Sequence, residues 1–370
     1  FINDTHAALV AADAALVVVD GIAGVEVMTE RVWGFSNQFG LPRALVINKL
    51  DRERSSFSRA LESIHENFGR TAIPVQLPIG AERDFNGVVD LVSMKAYTYT
   101  AGGEQDIPAA MADAARAAHE ALTEMVAEGN DQLMEEYFDK GSLSPEHLLE
   151  GLKAAVKERR IFPVLCAAAS LNIGTDRILD FIVDYLPAPT ERPAIKAKSG
   201  EEEVTPPVSE SEPATAFVFK TIADPFAGRV SYFKIYSGSV KNDANLQNVR
   251  TGSTERLAHV GSPLGKSIQP VTELHAGDIG AVAKLKDTLT NDTLAEKGVT
   301  LAYIGVKLPE PSIAYAMEAK SRQDEDRMGN AISKILEEDP SLRFYRDPQT
   351  KEFLLAGSGQ QHVEVIVSRL

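Results

Sequence analysis

The spacing of apolar positions divides the chain into stretches of different period, and each stretch predicts its own elements. Residues 4–12 (Asp4-Thr5-His6-Ala7-Ala8-Leu9-Val10-Ala11-Ala12) read as a short helix. Ala14 to Val19 is a continuous apolar run ending at Asp20-Gly21, the pattern of a strand buried on both faces. Val27 to Phe39 is helical and is stopped by Gly40-Leu41-Pro42. A second apolar run, Ala44-Leu45-Val46-Ile47, leads into Asn48-Lys49-Leu50-Asp51. Phe57, Leu61, Ile64 and Phe68 fall at helical spacing. Residues 73–97 read as short strands, such as Gly87 to Val92, and residues 107–158 as mostly helix with a break at Gly141-Ser142. Phe162 to Cys166 returns as a strand, followed by a helix from Asp176 to Leu186 that is expected to turn Ile178, Leu179, Ile182 and Leu186 inward. Strands alternating with helices of this length imply an α/β domain with a parallel sheet, here with a helical module inserted between two of its strands.

Beyond residue 186 the pattern changes. Pro187, Pro189, Pro193, Pro206, Pro207 and Pro213 lie among Glu201-Glu202-Glu203 and Ser209 to Glu212, a composition expected to form a proline-stiffened linker with no core of its own. From residue 214 a two-residue period sets in: Val230, Tyr232, Lys234 and Tyr236 alternate with Ser231, Phe233 and Ile235. Turn signals recur at Ser237-Gly238, Lys241-Asn242-Asp243 and Ala276-Gly277-Asp278. An all-β barrel is expected. Residues 311–370 read strand, helix, strand, strand, helix, with Met328, Ile332, Ile335 and Leu336 on one helical stripe and the turn Asp347-Pro348-Gln349 between two strands. This is the split β-α-β pattern of a ferredoxin-like α+β module. The expected organisation is therefore an α/β domain over 1–192 with its helical insertion at about 80–160, a linker over 193–213, a β-barrel over 214–301 and a ferredoxin-like domain over 302–370.

Composition narrows the picture without deciding it. A chain of 370 residues with 44% hydrophobic and 25% charged residues has room for several cores. The net charge of −15 argues against a nonspecific nucleic-acid coat protein. Residues 101–160 carry 13 Asp/Glu against 6 Lys/Arg, a solvated helical face or one that meets a basic protein partner. No apolar stretch approaches the roughly 20 residues that span a bilayer, and no signal-peptide pattern opens the sequence. Cys166 is the single cysteine, which excludes an intrachain disulfide and suits a reducing cytoplasm.

The residues with candidate chemistry lie at strand ends. Nucleotides bind at the carboxyl ends of parallel strands, where Asn48 falls. A guanine base offers a ring N–H and an exocyclic amine side by side, and one carboxylate, Asp51, can accept from both. Asn48 can read the base edge and tie loops together, and the aliphatic stem of Lys49 can lie along the base plane. Ala168-Ala169-Ser170, after the strand that ends at Cys166, is the candidate second loop, whose backbone N–H groups would meet the base oxygen. A phosphate loop is not recognisable. Gly261-Ser262-Pro263-Leu264-Gly265-Lys266-Ser267 is one residue short of the required pattern, lies in the β-barrel region, and is followed by Pro270 where a helix would have to begin. The seven His residues show no metal-ligand spacing, and Cys166 reads as core.

Further motifs run through the chain in order: the helix Phe1–Ala12; Ile79-Gly80-Ala81-Glu82, Phe85-x-Gly87-Val88-Val89-Asp90-Leu91 and Ile107-Pro108; and Asp184-Tyr185-Leu186-Pro187. They continue with Lys220-Thr221-x-x-Asp224-Pro225-Phe226-x-Gly228, Ala276-Gly277-Asp278-Ile279, Pro309-Glu310-Pro311 and Glu338-Asp339-Pro340-Ser341. On these motifs the chain resembles translation elongation factor G over essentially its whole length. One departure is Gly359-Gln360-Gln361-His362, where the family usually shows Gly-Glu-Leu-His; it favours a diverged paralogue. The resemblance implies a multidomain protein with an incomplete P-loop-type GTPase domain, the N-terminal phosphate loop and the fourth and fifth domains being absent. It implies GTP or GDP bound through Asn48, Lys49, Leu50, Asp51, Ala168, Ala169 and Ser170, with Mg²⁺ only in a complete GTPase site. The implied partner is the ribosome, through rRNA and basic ribosomal proteins, and the implied role is movement of tRNA and mRNA by a monomeric cytoplasmic protein. As given, the chain is expected neither to hydrolyse GTP nor to bind it tightly, and to offer no catalytic residue of its own. Other ribosomal GTPases, acting in release-factor recycling or tetracycline protection, share the order of domains. A nucleotide-free docking module using the acidic insertion is the alternative of a different class.

Overall fold

A computed structural model of the chain describes residues 2–100, 102–224, 227–265, 267–305, 310–319 and 321–370. Pro225 and Phe226 of the barrel motif, Lys266 and Pro309 lie outside the described residues. The chain forms two compact units, residues 12–188 and residues 1–11 with 189–370.

In the unit of residues 12–188 the apolar runs form β1 (Ala15–Asp20), β2 (Arg43–Asn48), β3 (Ala72–Pro74) and, after the insertion, β8 (Phe162–Cys166). They make a wholly parallel sheet in the order β1-β2-β8-β3. Successive side chains of β2 point to opposite faces. Leu45 and Ile47 join a core with Val17, Val19, Trp33 and Ile64, from β1 and from helices α2 (Val27–Gln38) and α3 (Phe57–Phe68). Ala44 and Val46 join the other core, beneath the insertion. The insertion pairs β4 (Gln76–Ile79), β5 (Gly87–Asp90), β6 (Lys95–Thr98) and β7 (Gly103–Gln105) into an antiparallel sheet. It then builds α4 (Ala112–Ala127), α5 (Asp131–Lys140) and α6 (Pro145–Lys157). The break expected at Gly141 is the left-handed C-cap of α5, at φ +70°, and Ser144 with Pro145 starts α6 by accepting from the His147 N–H.

Helix α7 (Thr175–Tyr185) corrects one expectation. Its inward stripe is Ile178, Phe181 and Tyr185, with Ile182 and Leu186 packed at the margin, whereas Leu179 is 63% exposed. Both stripes obey i, i+3/i+4 spacing, and the larger apolar area of the stacked Phe181 and Tyr185 rings settles which one is buried.

The other unit joins helix α1 (Ile2–Ala11) to residues 189–370. Its first stretch departs from the expected linker. β9 (Ala197–Ser199) and β10 (Glu202–Val204) form a hairpin whose inner strand pairs with β21 (Leu301–Tyr303), with Ala194, Ala197 and Val208 buried. Glu201, Glu202 and Glu203 are exposed at its turn, as their charge requires.

The barrel expected from the two-residue period is present as an eight-stranded antiparallel sheet. Its strands are β11 (Thr215–Asp224), β12 (Gly228–Ser237), β14 (Ala244–Asn248), β15 (Thr254–Leu257), β16 (Gly261–Leu264), β17 (Ser267–Pro270), β19 (Ile279–Ala283) and β20 (Thr293–Ala295). The small pair β13 (Ser239–Lys241) and β18 (Glu273–His275) accompanies it. Phe233 and Ile235 of β12 point into the barrel core. The alternating Lys234 and Tyr236 are also buried, because α1 lies over them: Lys234 Nζ donates to the Ala11 carbonyl at 2.9 Å and the Tyr236 hydroxyl to the Val10 carbonyl at 3.1 Å. Both satisfy carbonyls that the helix end leaves unpaired. The glycine-rich decoy is the β16–β17 hairpin, and a Cβ at Gly261 would lie 2.4 Å from Ile268.

In the last segment β22 (Ile313–Met317), α8 (Arg322–Glu338), β23 (Arg343–Arg346), β24 (Phe353–Gly357) and α9 (Gln360–Arg369) follow the expected order. The sheet order β22-β24-β23, antiparallel throughout, places β24 between the two strands joined by α8, which is the split β-α-β arrangement. Ile332 and Ile335 are buried as the helical stripe requires, with Leu336 and Met328 partly so. His362 of the Gly-Gln-Gln-His departure is buried. Its Nε2 donates to Asp339 at 2.9 Å and its Nδ1 accepts from the Ser358 amide at 3.2 Å.

Candidate functional site

Parallel pairing in register sets Asp20, at the end of β1, beside Asn48, at the end of β2. The next strand across, β8, ends at Cys166 and delivers Ala168, Ala169 and Ser170 to the same edge. Two interactions join the loops. The Leu50 N–H donates to the Ala167 carbonyl at 3.2 Å, and Asn48 Oδ1 accepts from the Ala169 N–H at 2.9 Å. The two sequence-predicted segments are thus brought together, although Asn48 and Ala169 stand 121 positions apart in the chain.

Each predicted residue has a distinct environment. Lys49 sits in left-handed backbone at φ +63°, a conformation uncommon for a long side chain. Its Nζ lies 2.6 Å from Asp20 Oδ2, and the Asp20 Oδ1 accepts from the Ile22 and Ala23 amides. The Lys49 bond, more than partial burial opposes it, holds the Asp20 carboxyl below the usual carboxylate range. Leu50 is a core side chain, 3% exposed, and its carbonyl accepts from the Ser55 hydroxyl. It serves the site by anchoring the loop. Asp51 is mostly buried; its Oδ1 is shielded from solvent with no hydrogen-bond partner, and its Oδ2 is 3.5 Å from Arg52 Nε. A shielded carboxylate oxygen with no donor is costly, and a ligand N–H would relieve it.

In the second loop the Ala168 N–H donates to the Ile173 carbonyl at 3.0 Å and the Ile173 N–H returns a bond at 3.2 Å, closing the turn between them. Ala168 is fully buried, while Ala169 and Ser170 are exposed at the tip. Since the Ala168 and Ala169 amides already have acceptors, Ser170 is placed best to offer an N–H outward. Asp20 was not among the predicted site residues; the signal for it is a strand-end acid in register with a strand-end Asn. Among the described residues no group of three or more His, Cys, Asp or Glu is placed to hold a metal ion, and no helix is long and apolar enough to cross a membrane.

Residues 1–188 match the family described as Elongation factor Tu GTP binding domain. The chain belongs to the elongation factor GTP-binding family. Its later segments make it elongation factor G-like: residues 213–297 match Elongation factor G domain 2 and residues 308–370 match Elongation Factor G, domain III. A crystal structure of a protein from Thermus thermophilus superposes on this elongation factor G-like chain with a TM-score of 0.87 at 32% identity. The match covers 100% of this chain and 54% of that one, so the chain spans about half the length of that relative. The fold class expected from sequence, an α/β GTPase domain followed by a β-barrel and an α+β module, is the one these families and the structure share.

Proposed function

We propose that this elongation factor G-like chain recognises a guanine nucleotide and serves GTP-dependent movement of tRNA and mRNA on the ribosome. The observation that carries the guanine reading is the unpartnered, shielded Oδ1 of Asp51 beside the Asn48–Ala169 bond, at the carboxyl edge of a parallel sheet. Asp51 accepts from the ring N–H and the exocyclic amine, Asn48 and Lys49 frame the base, and the loop Ala168-Ala169-Ser170 meets its oxygen through the Ser170 amide. Leu50 holds the loop from the core. The roles proposed for these residues are confined to recognition of the base. Phosphoryl transfer needs positioned phosphates and a metal besides the base contacts. In this reading it acts as a cytoplasmic monomer, with rRNA and basic ribosomal proteins as partners.

The test is a titration of the purified chain with guanosine and adenosine monophosphates, followed by its amide resonances, beside a ribosome pull-down with and without guanine nucleotide. Guanine-selective shifts at Ala169 and Ser170 support the reading, and equal response to adenine refutes it. The acidic insertion, net negative over residues 101–160, favours a second reading as a docking module for a basic ribosomal protein. Ribosome capture indifferent to nucleotide would favour that reading.

A further inference from the structure

The inserted antiparallel sheet reaches the start of α7, beside the guanine-side loop, through Tyr99. Tyr99 follows β6 and is fixed by its own amide, which donates to the Asn86 carbonyl at 2.9 Å. Its half-buried hydroxyl donates to the carboxylate Oδ1 of Asp176, in the first turn of α7. Gly174 is the N-cap of α7, adopts φ +81°, and offers no side chain to cap the helix. The Tyr99 hydroxyl instead holds the first turn through the Asp176 side chain, from another part of the fold. A second contact braces the first. The Arg177 guanidinium lies 4.3 Å from the Tyr97 ring centroid and pairs with Asp180 at 2.6 Å and Asp176 at 3.3 Å.

Gly174 follows directly on Ile173, whose two bonds with Ala168 close the loop. Whatever holds the first turn of α7, from Gly174 to Asp176, therefore holds the far end of the turn that carries Ala169 and Ser170. We infer that Tyr99 is a positioning residue for guanine binding, through which the inserted module sets the geometry of the loop that meets the base oxygen. The inference rests on the guanine reading above. Burial and the Asp176 bond also raise the Tyr99 pKa, so the hydroxyl keeps its proton and stays a donor at any physiological pH.

Guanine and hypoxanthine share the base oxygen and the ring N–H, and only guanine carries the exocyclic amine. The loop thus acts on both bases and Asp51 distinguishes them. The experiment titrates the protein and its Tyr99→Phe, Asp176→Ala and Asp51→Ala variants with guanosine, inosine and adenosine monophosphates. Amide exchange is measured across residues 12–188, and the melting temperature of each variant is recorded. Tyr99→Phe keeps the ring and loses one hydroxyl. It should weaken both guanosine and inosine monophosphates about fivefold with their ratio intact, and speed exchange at residues 168–176 only. Asp176→Ala should reproduce this from the α7 side, whereas Asp51→Ala should erase the preference for guanosine. If Asp51→Ala erases that preference while Tyr99→Phe leaves both affinities unchanged, the positioning role is wrong and the guanine reading stands. Loss of the guanosine complex alone in Tyr99→Phe, or faster exchange spread over the whole unit with a lowered melting temperature, also overturns it. An unsubstituted protein that binds none of the nucleotides, or does not prefer guanosine, overturns both readings.

Discussion

Replacing Asp51 by Ala should stabilise the nucleotide-free protein while removing its selectivity for guanine. In the folded chain Asp51 Oδ1 is shielded and unpaired, at a cost of about 1–3 kcal/mol. The compensating contact with Arg52 is long, 3.5 Å, and Arg52 is 59% exposed, so it returns about 0–1 kcal/mol at most. Truncation removes the first quantity and sacrifices the second together with some packing, for a net gain of about 1 kcal/mol. In a unit of this size that raises the melting temperature by about 2–4 °C. Trp33, the only tryptophan, is buried in the core of the same unit and reports its unfolding by fluorescence. Guanosine monophosphate affinity should fall about tenfold or more, because hydrogen bonds to a charged acceptor are each worth about 1.5–3 kcal/mol. A variant that melts more than about 2 °C below the parent would refute the premise that the carboxylate is strained for lack of a donor. Retained guanine preference would refute its assignment to the base.

Three further outcomes follow from the geometry. Gly174→Ala places a Cβ 2.5 Å from the Cys166 carbonyl in left-handed backbone; it should cost about 2–4 kcal/mol, read as a lower urea midpoint of Trp33 fluorescence. In the barrel, burial would raise the Asp292 carboxyl, but bonds from Arg250, the Leu289 amide and Asn248 prevail and hold it below the ordinary value of 3.8. Its stabilisation is complete above that value and is lost as pH falls through the lowered one. Hydrogen exchange of the β20 amides should therefore accelerate below about pH 4, and Asp292→Asn should flatten that dependence at a cost of about 1.5–3 kcal/mol. Cys166 is fully buried with its thiol pKa pushed up, so a thiol reagent should label it only as fast as the surrounding sheet unfolds; rapid labelling under native conditions would contradict the packing of β8.

Much of the fold was legible because local pattern and burial agree. The strand ends at Asp20, Asn48 and Cys166, the break at Gly141 and the split β-α-β order all follow from periods and turn residues. Reading failed where a distant partner decides. Prolines and glutamates at 187–213 conceal a hairpin that exists because β21, about a hundred residues later, pairs with β9. Leu179 and Phe181 fit equally regular stripes, and only the packing surface distinguishes them. The site divides in the same way. Asn48, Asp51 and the second loop are strand-end residues of telling type, whereas Tyr99 and Asp20 matter through what they touch.

The position of α1 has a temporal consequence. Its last two carbonyls are capped by Tyr236 and Lys234, separated from them by 226 and 223 residues of chain. At a synthesis rate of about 5–20 residues per second, the helix waits roughly 10–45 s on the ribosome for the strand that receives it. Ten residues cannot hold a helix alone for that time. Meanwhile residues 12–188, with a parallel sheet and two cores of their own, can fold as they emerge. The α1 segment is thus made before the strand that receives it and folds after it, and a nascent chain arrested before Tyr236 should leave it open to a protease that spares residues 12–188.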